Sequence, residues 1–245
     1  LGVNRAGSII HTAVHAALAD LPRGRWLLAV SGGRDSMVLL HAMARARFAE
    51  VAAVANFDHA TGAFARRAAA LVGQEALRHC LPSVSGVAEP GLPVNEGVWR
   101  AARHAILDAW AAELGATVLT AHTRDDQIET VVQRLLRGAG PRGLAGMRSA
   151  ASRSDASSGR TPAARARPLL TVPRAVLADY ARVHRVPFIE DPGNASLEFQ
   201  RNRVRHEILP ALERSMPGFS AWCWSLGERS AAWRDGVERL LDAVG

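Results

Sequence analysis

Six consecutive residues, Ser31-Gly32-Gly33-Arg34-Asp35-Ser36, gather backbone freedom, hydroxyl donors and a carboxylate into one turn. Glycines let a backbone come close to an anion, and a helix starting there offers unbonded N–H groups and the positive end of its dipole. Ser31 and Ser36 add hydroxyl donors, and Asp35 supplies a hard oxygen for the metal that accompanies a nucleotide. Residues 31–36 are therefore the candidate phosphate cradle. It is not of the Walker type, because no GxxxxGK[ST] string occurs. A second group, His122-Thr-Arg-Asp125-Asp126-Gln127-Ile-Glu129-Thr130, sets a histidine before a helix start rich in acids. Asp125 with Glu129, and Asp126 with Thr130, are i, i+4 pairs on adjoining helix faces. Such acids also serve as ordinary caps and dipole partners. Facing a triphosphate, they bind magnesium and orient the reacting phosphate.

Three further blocks carry arginine. Arg137 to Met147 holds four glycines and two arginines, Arg137 and Arg142, and reads as a flexible basic loop that contacts an anion or a base. Arg167-Pro168-Leu169-Leu170 follows, then Asp191-Pro192-Gly193-Asn194 and Arg201-Asn202-Arg203-Val204-Arg205 with Leu209-Pro210. Arg201 and Arg205 are one turn apart on a helix, a spacing that suits a grip on RNA phosphate as well as it suits a solvated face.

The elements that position these groups alternate. Strand 26–30 leads to helix 35–47, strand 51–55 to helix 62–80, strand 83–88 to helix 96–114, and strand 117–120 to helix 125–137. An amphipathic helix, 4–20, precedes them and ends near Pro22. Alternation with apolar runs predicts an α/β fold, a parallel sheet flanked by helices, with ligands beyond the carboxyl ends of the strands. Residues 148–166 are small, polar and basic without periodicity and read as a mobile loop. A helix over 173–185 and an extended 186–189 come next. The tail 219–243 carries Trp222, Trp224 and Trp233 on a long helix that needs an apolar partner surface, a second copy of the chain being one candidate.

The net charge is +7 and the chain contains no lysine, so all 30 basic residues are arginine. Arginine pairs with phosphate in bidentate fashion and stacks on bases, which suggests a polyanionic partner. Cys80 and Cys223 belong to no metal or cluster spacing, which argues against a disulfide scaffold, a zinc site and a cysteine-bound iron–sulfur cluster. No apolar run reaches membrane-spanning length and no secretory pattern opens the chain, so a soluble, cytoplasmic protein is expected, without a membrane partner. The start at Leu1 and the stop within the last helix suggest a compact or truncated form.

Taken in order, SGGRDS, HTRDDQIET, RGAGPRGLAGM, RPLL, and DPGN with RNRVR and LP resemble the tRNA(Ile)-lysidine synthetases over about residues 26–210. Asn95-Glu96 with Arg100, Arg103 and His104 is similar to a further family segment, with His104 where an aromatic is usual. Asp58-His59 resembles the start of another block and then departs from it, which sets aside the contacts of that block's arginine. The resemblance implies a Rossmann-like PP-loop ATP pyrophosphatase domain over 1–215 and a helical linker or tail over 216–245. It implies ATP and Mg2+, free L-lysine, and a tRNA(Ile) with a CAU anticodon, whose wobble cytidine is adenylated and then joined to lysine. Asp35, Asp125, Asp126, His122 and Arg137 become the catalytic candidates, and Ser31, Gly32, Gly33, Arg34, Asp35 and Ser36 the nucleotide binders. Asp35 and Asp126 become the magnesium ligands, Arg142, Arg201 and Arg205 the RNA contacts, and Glu129 or Asp58 the acceptor for the lysine amine. A PP-loop tRNA-thiolation enzyme and a catalytically silent nucleotide- or RNA-binding module are the alternatives.

Overall fold

A computed structural model describes residues 5–19, 24–46, 50–58, 62–88, 96–149, 163–191, 193 and 196–244. The readings placed on Pro22, His59, Asn95, residues 150–162, Pro192 and Asn194 lie outside these. The described chain packs as two compact units, one comprising Leu1–Thr123 and Ser149–Asp191, the other Arg124–Arg148 and Pro192–Gly245.

In the first unit, five strands pair in parallel in the order β3-β2-β1-β4-β5: β1 Arg25–Ala29, β2 Val51–Asp58, β3 Ser83–Val87, β4 Ala116–Leu119 and β5 Arg165–Ala166. The central strand, β1, lines up Leu28 with Val54 on one side and with Leu119 on the other. Side chains of β1 alternate between two cores, as a two-residue period requires. Trp26, Leu28 and Val30 enter the larger core with α1 (Arg5–Ala19), α2 (Arg34–Arg45), α3 (Ala63–Arg78) and α7 (Arg174–His184). Leu27 enters the other core, against Leu107 and Ala111 of α4 (Glu96–Leu114). Leu27 and Leu28 are fully buried, each stabilising the fold by about 2 kcal/mol through lost apolar surface. On α1, Ala6, Ile10 and Val14 recur every four residues and form its buried stripe. Chain order reverses between β1 and β4, so a crevice opens at their carboxyl ends, where an open parallel sheet binds ligands.

The second unit is helical: α5 (Arg124–Leu136), α6 (Pro141–Leu144), α8 (Gln200–Arg203) running through a π-helical turn (Val204–Ile208) into α9 (Leu209–Ser215), and α10 (Phe219–Val244). Its core joins Ile128, Val131 and Val132 of α5 to Val204 and Cys223. Cys223 is a core thiol, pushed up to about 11 by burial and then by Glu213. Two features depart from the sequence reading. Arg165–Ala166, inside the stretch read as loop, pairs with Val118 and Leu119 as an edge strand. The second unit, moreover, does not begin at residue 216. It recruits α5 and the 137–148 segment, because α10 finds its apolar partners there. At the end of that segment Arg148 donates to Glu238 at 2.5 Å and lies 3.4 Å from Asp235, both on α10.

Candidate functional site: a phosphate cradle and an acid–arginine cluster

In the first unit β1 delivers the chain into the Ser31–Ser36 turn. Gly32 sits at φ +85°, and a Cβ placed there would lie 2.9 Å from the Ala68 Cβ on α3. Its carbonyl accepts the Ile189 N–H at 3.0 Å. Glycine is required here by backbone conformation and by the close approach of α3. Gly33 caps α2 with extended backbone and no side-chain cap, so the first-turn N–H groups of α2 have no partner within the helix. The serines brace the turn. Ser36 Oγ donates to the Gly33 carbonyl at 2.8 Å and accepts the Ser31 N–H at 3.2 Å. Gly33 N–H points to Ser31 Oγ at 3.4 Å. Asp35 Oδ1 meets Arg34 Nε, and its Oδ2 meets Arg174 Nε, each at 3.4 Å. The sequence reading missed Arg174, which opens α7. It also missed Asn56, a buried polar residue in the apolar run of β2, whose amide donates to the Val30 carbonyl at 2.8 Å. The lone Asn in Val51–Phe57 was the available signal.

In the same unit His122 follows β4, and its Nδ1 lies 2.9 Å from Thr120 Oγ1. Asp58 ends β2 and is buried. His104 is lowered to about 4, by burial first and then by Arg165, Arg103, Arg100 and Arg167. Four guanidiniums thus raise the local potential, with Asp108 bound to Arg165 at 2.5 Å.

In the second unit two acids of α5, Asp126 and Glu129, are paired with arginine. Glu129, 2% exposed, accepts from Arg205 Nε at 2.7 Å and from Arg201 Nε at 3.0 Å. Asp126 Oδ1 accepts from Arg201 at 2.6 Å and from Arg205 at 3.4 Å. Burying a carboxylate is costly unless its oxygens are hydrogen-bonded, and two planar guanidinium forks supply those bonds. The two arginines read as RNA contacts are thus engaged with carboxylates of their own unit. The π-helical turn, Val204–Ile208, carries Arg205 of this pair. Thr130 Oγ donates to the Asp126 carbonyl at 2.8 Å.

The 137–147 segment departs from the flexible loop expected. Pro141–Leu144 forms a helical turn. Arg134 Nη1 donates to the Gly143 carbonyl, and Gln127 brackets Met147 by accepting its N–H at 2.8 Å and donating to its carbonyl at 3.3 Å. Arg137 donates to Gln200 Oε1, while Arg142 is exposed.

Magnesium is held by hard oxygen ligands, usually one or two carboxylates together with substrate phosphate oxygens and water. Asp35, beside the cradle and partly exposed, is of the right chemistry. Among the described residues no group of three or more His, Cys, Asp or Glu side chains is arranged for a metal. Asp126 is already bound by two guanidiniums.

Fold and turn together have the form of an α/β domain of the PP-loop class, and residues 7–212 match the PP-loop domain family. A tRNA(Ile)-lysidine synthase from Pseudomonas fluorescens is 37% identical over 231 residues, 91% of this chain and 49% of that one. Its counterpart from Parasynechococcus marenigrum is 36% identical over 94% of this chain and 69% of its own. The chain belongs to the tRNA(Ile)-lysidine synthase family. It spans about half the length of the first curated relatives it matches. Among solved structures, the U34-tRNA thiolase NcsA from Methanococcus maripaludis, with its [4Fe-4S] cluster, superposes with TM-score 0.72. The identity is 13%, over 93% of this chain and 78% of that one, and it shows the fold alone. NMN synthetase from Francisella tularensis, 9% identical over 96% of each chain, superposes with TM-score 0.54. Among the described residues no helix is long and apolar enough to cross a membrane.

Proposed function

We propose that this chain carries the ATP-dependent joining of free lysine to carbon 2 of the wobble cytidine in a tRNA(Ile) with a CAU anticodon. The observation that carries the reading is the braced cradle at the β1–β4 reversal in a chain of this family. The cytidine O2 attacks the α-phosphorus of ATP, and pyrophosphate leaves. The lysine amine then adds at carbon 2, AMP departs with its electron pair, and the amine gives up a proton. An amide-like oxygen leaves poorly until it becomes a phosphate ester, so the first step makes the second accessible.

Each group has a task in this reading. The α2 N-terminus and the turn fixed by Ser31 and Ser36 receive the departing pyrophosphate and stabilise its developing charge. Asp35, oriented by Arg34 and Arg174, would hold Mg2+, which supplies charge neutralisation at the phosphates. His122, set by Thr120, faces the nucleotide. Arg201 and Arg205 hold Asp126 and Glu129 in place, so Asp58 becomes the better acceptor for the lysine amine. The arginines around His104, together with Arg142, suit RNA phosphate. We place the protein in the cytoplasm, where tRNA and ATP are available. Cys80 and Cys223 fall in different units, and Cys223 is a core residue, so nothing favours a thiolation reading.

The test is incubation with ATP, lysine and a CAU-anticodon tRNA, followed by mass spectrometry of the tRNA nucleosides. The expected result is a cytidine heavier by lysine less water, with pyrophosphate release that depends on tRNA. Pyrophosphate released at the same rate without tRNA, or an unmodified cytidine, overturns the reading.

A further inference from the structure

We infer that Gln127 and Arg134 are positioning residues that hold the 143–147 stretch closing α6, and so set Arg142 against an RNA phosphate; this rests on the function proposed above. Gln127 is 6% exposed on the face of α5, and its side-chain amide serves the neighbouring backbone at three points. It donates to the Ala145 and Met147 carbonyls at 3.3 Å each and accepts the Met147 N–H at 2.8 Å. Gly146 lies between those residues at φ +65°, and a Cβ there would fall 2.4 Å from Gln127 Nε2. Gln127 and Gly146 are thus a matched pair, the missing side chain of one making room for the amide of the other. Two turns along α5, Arg134 donates to the Gly143 and Gly146 carbonyls.

These contacts serve a purpose beyond satisfying polar groups. A segment with four glycines has many conformations to lose, and the entropy of fixing it would otherwise fall on the binding step. Here the side chains of α5 fix it in advance. Arg142 stands on the helical turn directly before the braced Gly143, exposed and with no ion pair among the described residues. Arg137, by contrast, is held by Gln200. The result is a rigid backbone that presents one solvent-facing guanidinium, the geometry that makes a phosphate contact reproducible in register.

The experiment measures steady-state kinetics for the CAU-anticodon tRNA with wild type, Gln127→Ala, Arg142→Ala and the double variant, alongside their unfolding midpoints. Wild type must first give the lysine-modified cytidine; its failure to do so counts against the reaction and not against the brace. With the reaction in hand, Arg142→Ala should raise KM for tRNA about tenfold and lower the salt slope of binding by about 1. Gln127→Ala should raise KM by a comparable factor and leave kcat within about twofold. In the Arg142→Ala background, removing Gln127 should raise KM no further, a non-additivity that loss of stability alone does not produce. Additive effects on KM, or a Gln127→Ala variant that unfolds more easily while KM stays at the wild-type value, overturn the inference. If Gln127→Ala does not fold, Arg134→Gln put through the same cycle decides it.

Discussion

The phosphate cradle and the acid–arginine cluster both concentrate polar groups, yet they are built on opposite principles. In the cradle the side-chain hydrogen bonds of Ser31 and Ser36 all close within five residues, while Gly32, against Ala68, and Asp35, with Arg174, answer to distant segments. In the cluster the partners are 72 to 79 residues apart, and each depends on a segment that arrives much later in the chain. A locally closed device can be read from a hexapeptide. A device closed over distance depends on the fold, and its failure unfolds rather than merely disarms.

The largest effect should come from breaking the cradle chemically without breaking it structurally. If the proposed reaction holds, Asp35→Ala is expected to lower adenylation roughly a thousandfold, since it removes the carboxylate proposed to hold Mg2+ at the phosphates. Binding of tRNA and the unfolding midpoint should stay near wild type. A variant with wild-type turnover removes Asp35 from the mechanism.

The cluster should respond in the opposite way. Glu129→Ala leaves Arg201 and Arg205 without their shared carboxylate and should cost about 2 kcal/mol of stability in urea denaturation. The figure is below that for a fully buried pair because the arginines are 29% and 25% exposed. A double-mutant cycle of Glu129→Gln with Arg205→Ala should show coupling of about 1 kcal/mol. If instead Arg201→Ala and Arg205→Ala flatten the salt dependence of tRNA binding with no coupling to Glu129, the arginines act on RNA.

Gly32→Ala tests whether local closure also carries packing. It forces a side chain onto positive φ and onto Ala68, and should destabilise the first unit by about 2 kcal/mol, seen as a lower unfolding midpoint. The smallest effect is acidic. His41 bonds the Tyr180 hydroxyl at 3.0 Å and is lowered from 6.5 to about 4, by burial first and then by His184, His79 and Arg45. Below 6.5 the unfolded chain takes up a proton that folded His41 refuses until about 4, so stability falls as pH drops through that interval. The loss should be about 1 kcal/mol at about pH 5.5, discounted for partial exposure. His41→Asn should remove that share of the pH dependence in urea titrations and leave the share of His104, which is lowered to about 4 as well; an unchanged pH profile contradicts the assignment.

Legibility in the sequence followed the same division. The four longer strands and the helices flanking them were visible because Leu27, Leu28 and the β2 run carry strong local periodicity. β5 was not, since Arg165–Ala166 has no apolar signature and exists by pairing with β4. The turn was read as a phosphate binder; its serines also brace it, and Gly32 is required by the close approach of α3. Arg201 and Arg205 stood on one helix face as expected; that the face meets Glu129 could not be inferred from spacing. Arg174 carried no signal, because an arginine after proline is ordinary until its carboxylate is known.

One fastening has a consequence for limited proteolysis. Arg148, which ends the braced segment, is tied to Asp235 and Glu238 in the later turns of α10. A nick just ahead of Asp235 would remove no catalytic candidate and leave most of the helical core intact. It would still free the last anchor of the segment that carries Arg142, so a trimmed chain is expected to fold and yet hold Arg142 less firmly. Sensitivity of the segment to a second protease would then report the loss of a latch about 90 residues away in sequence.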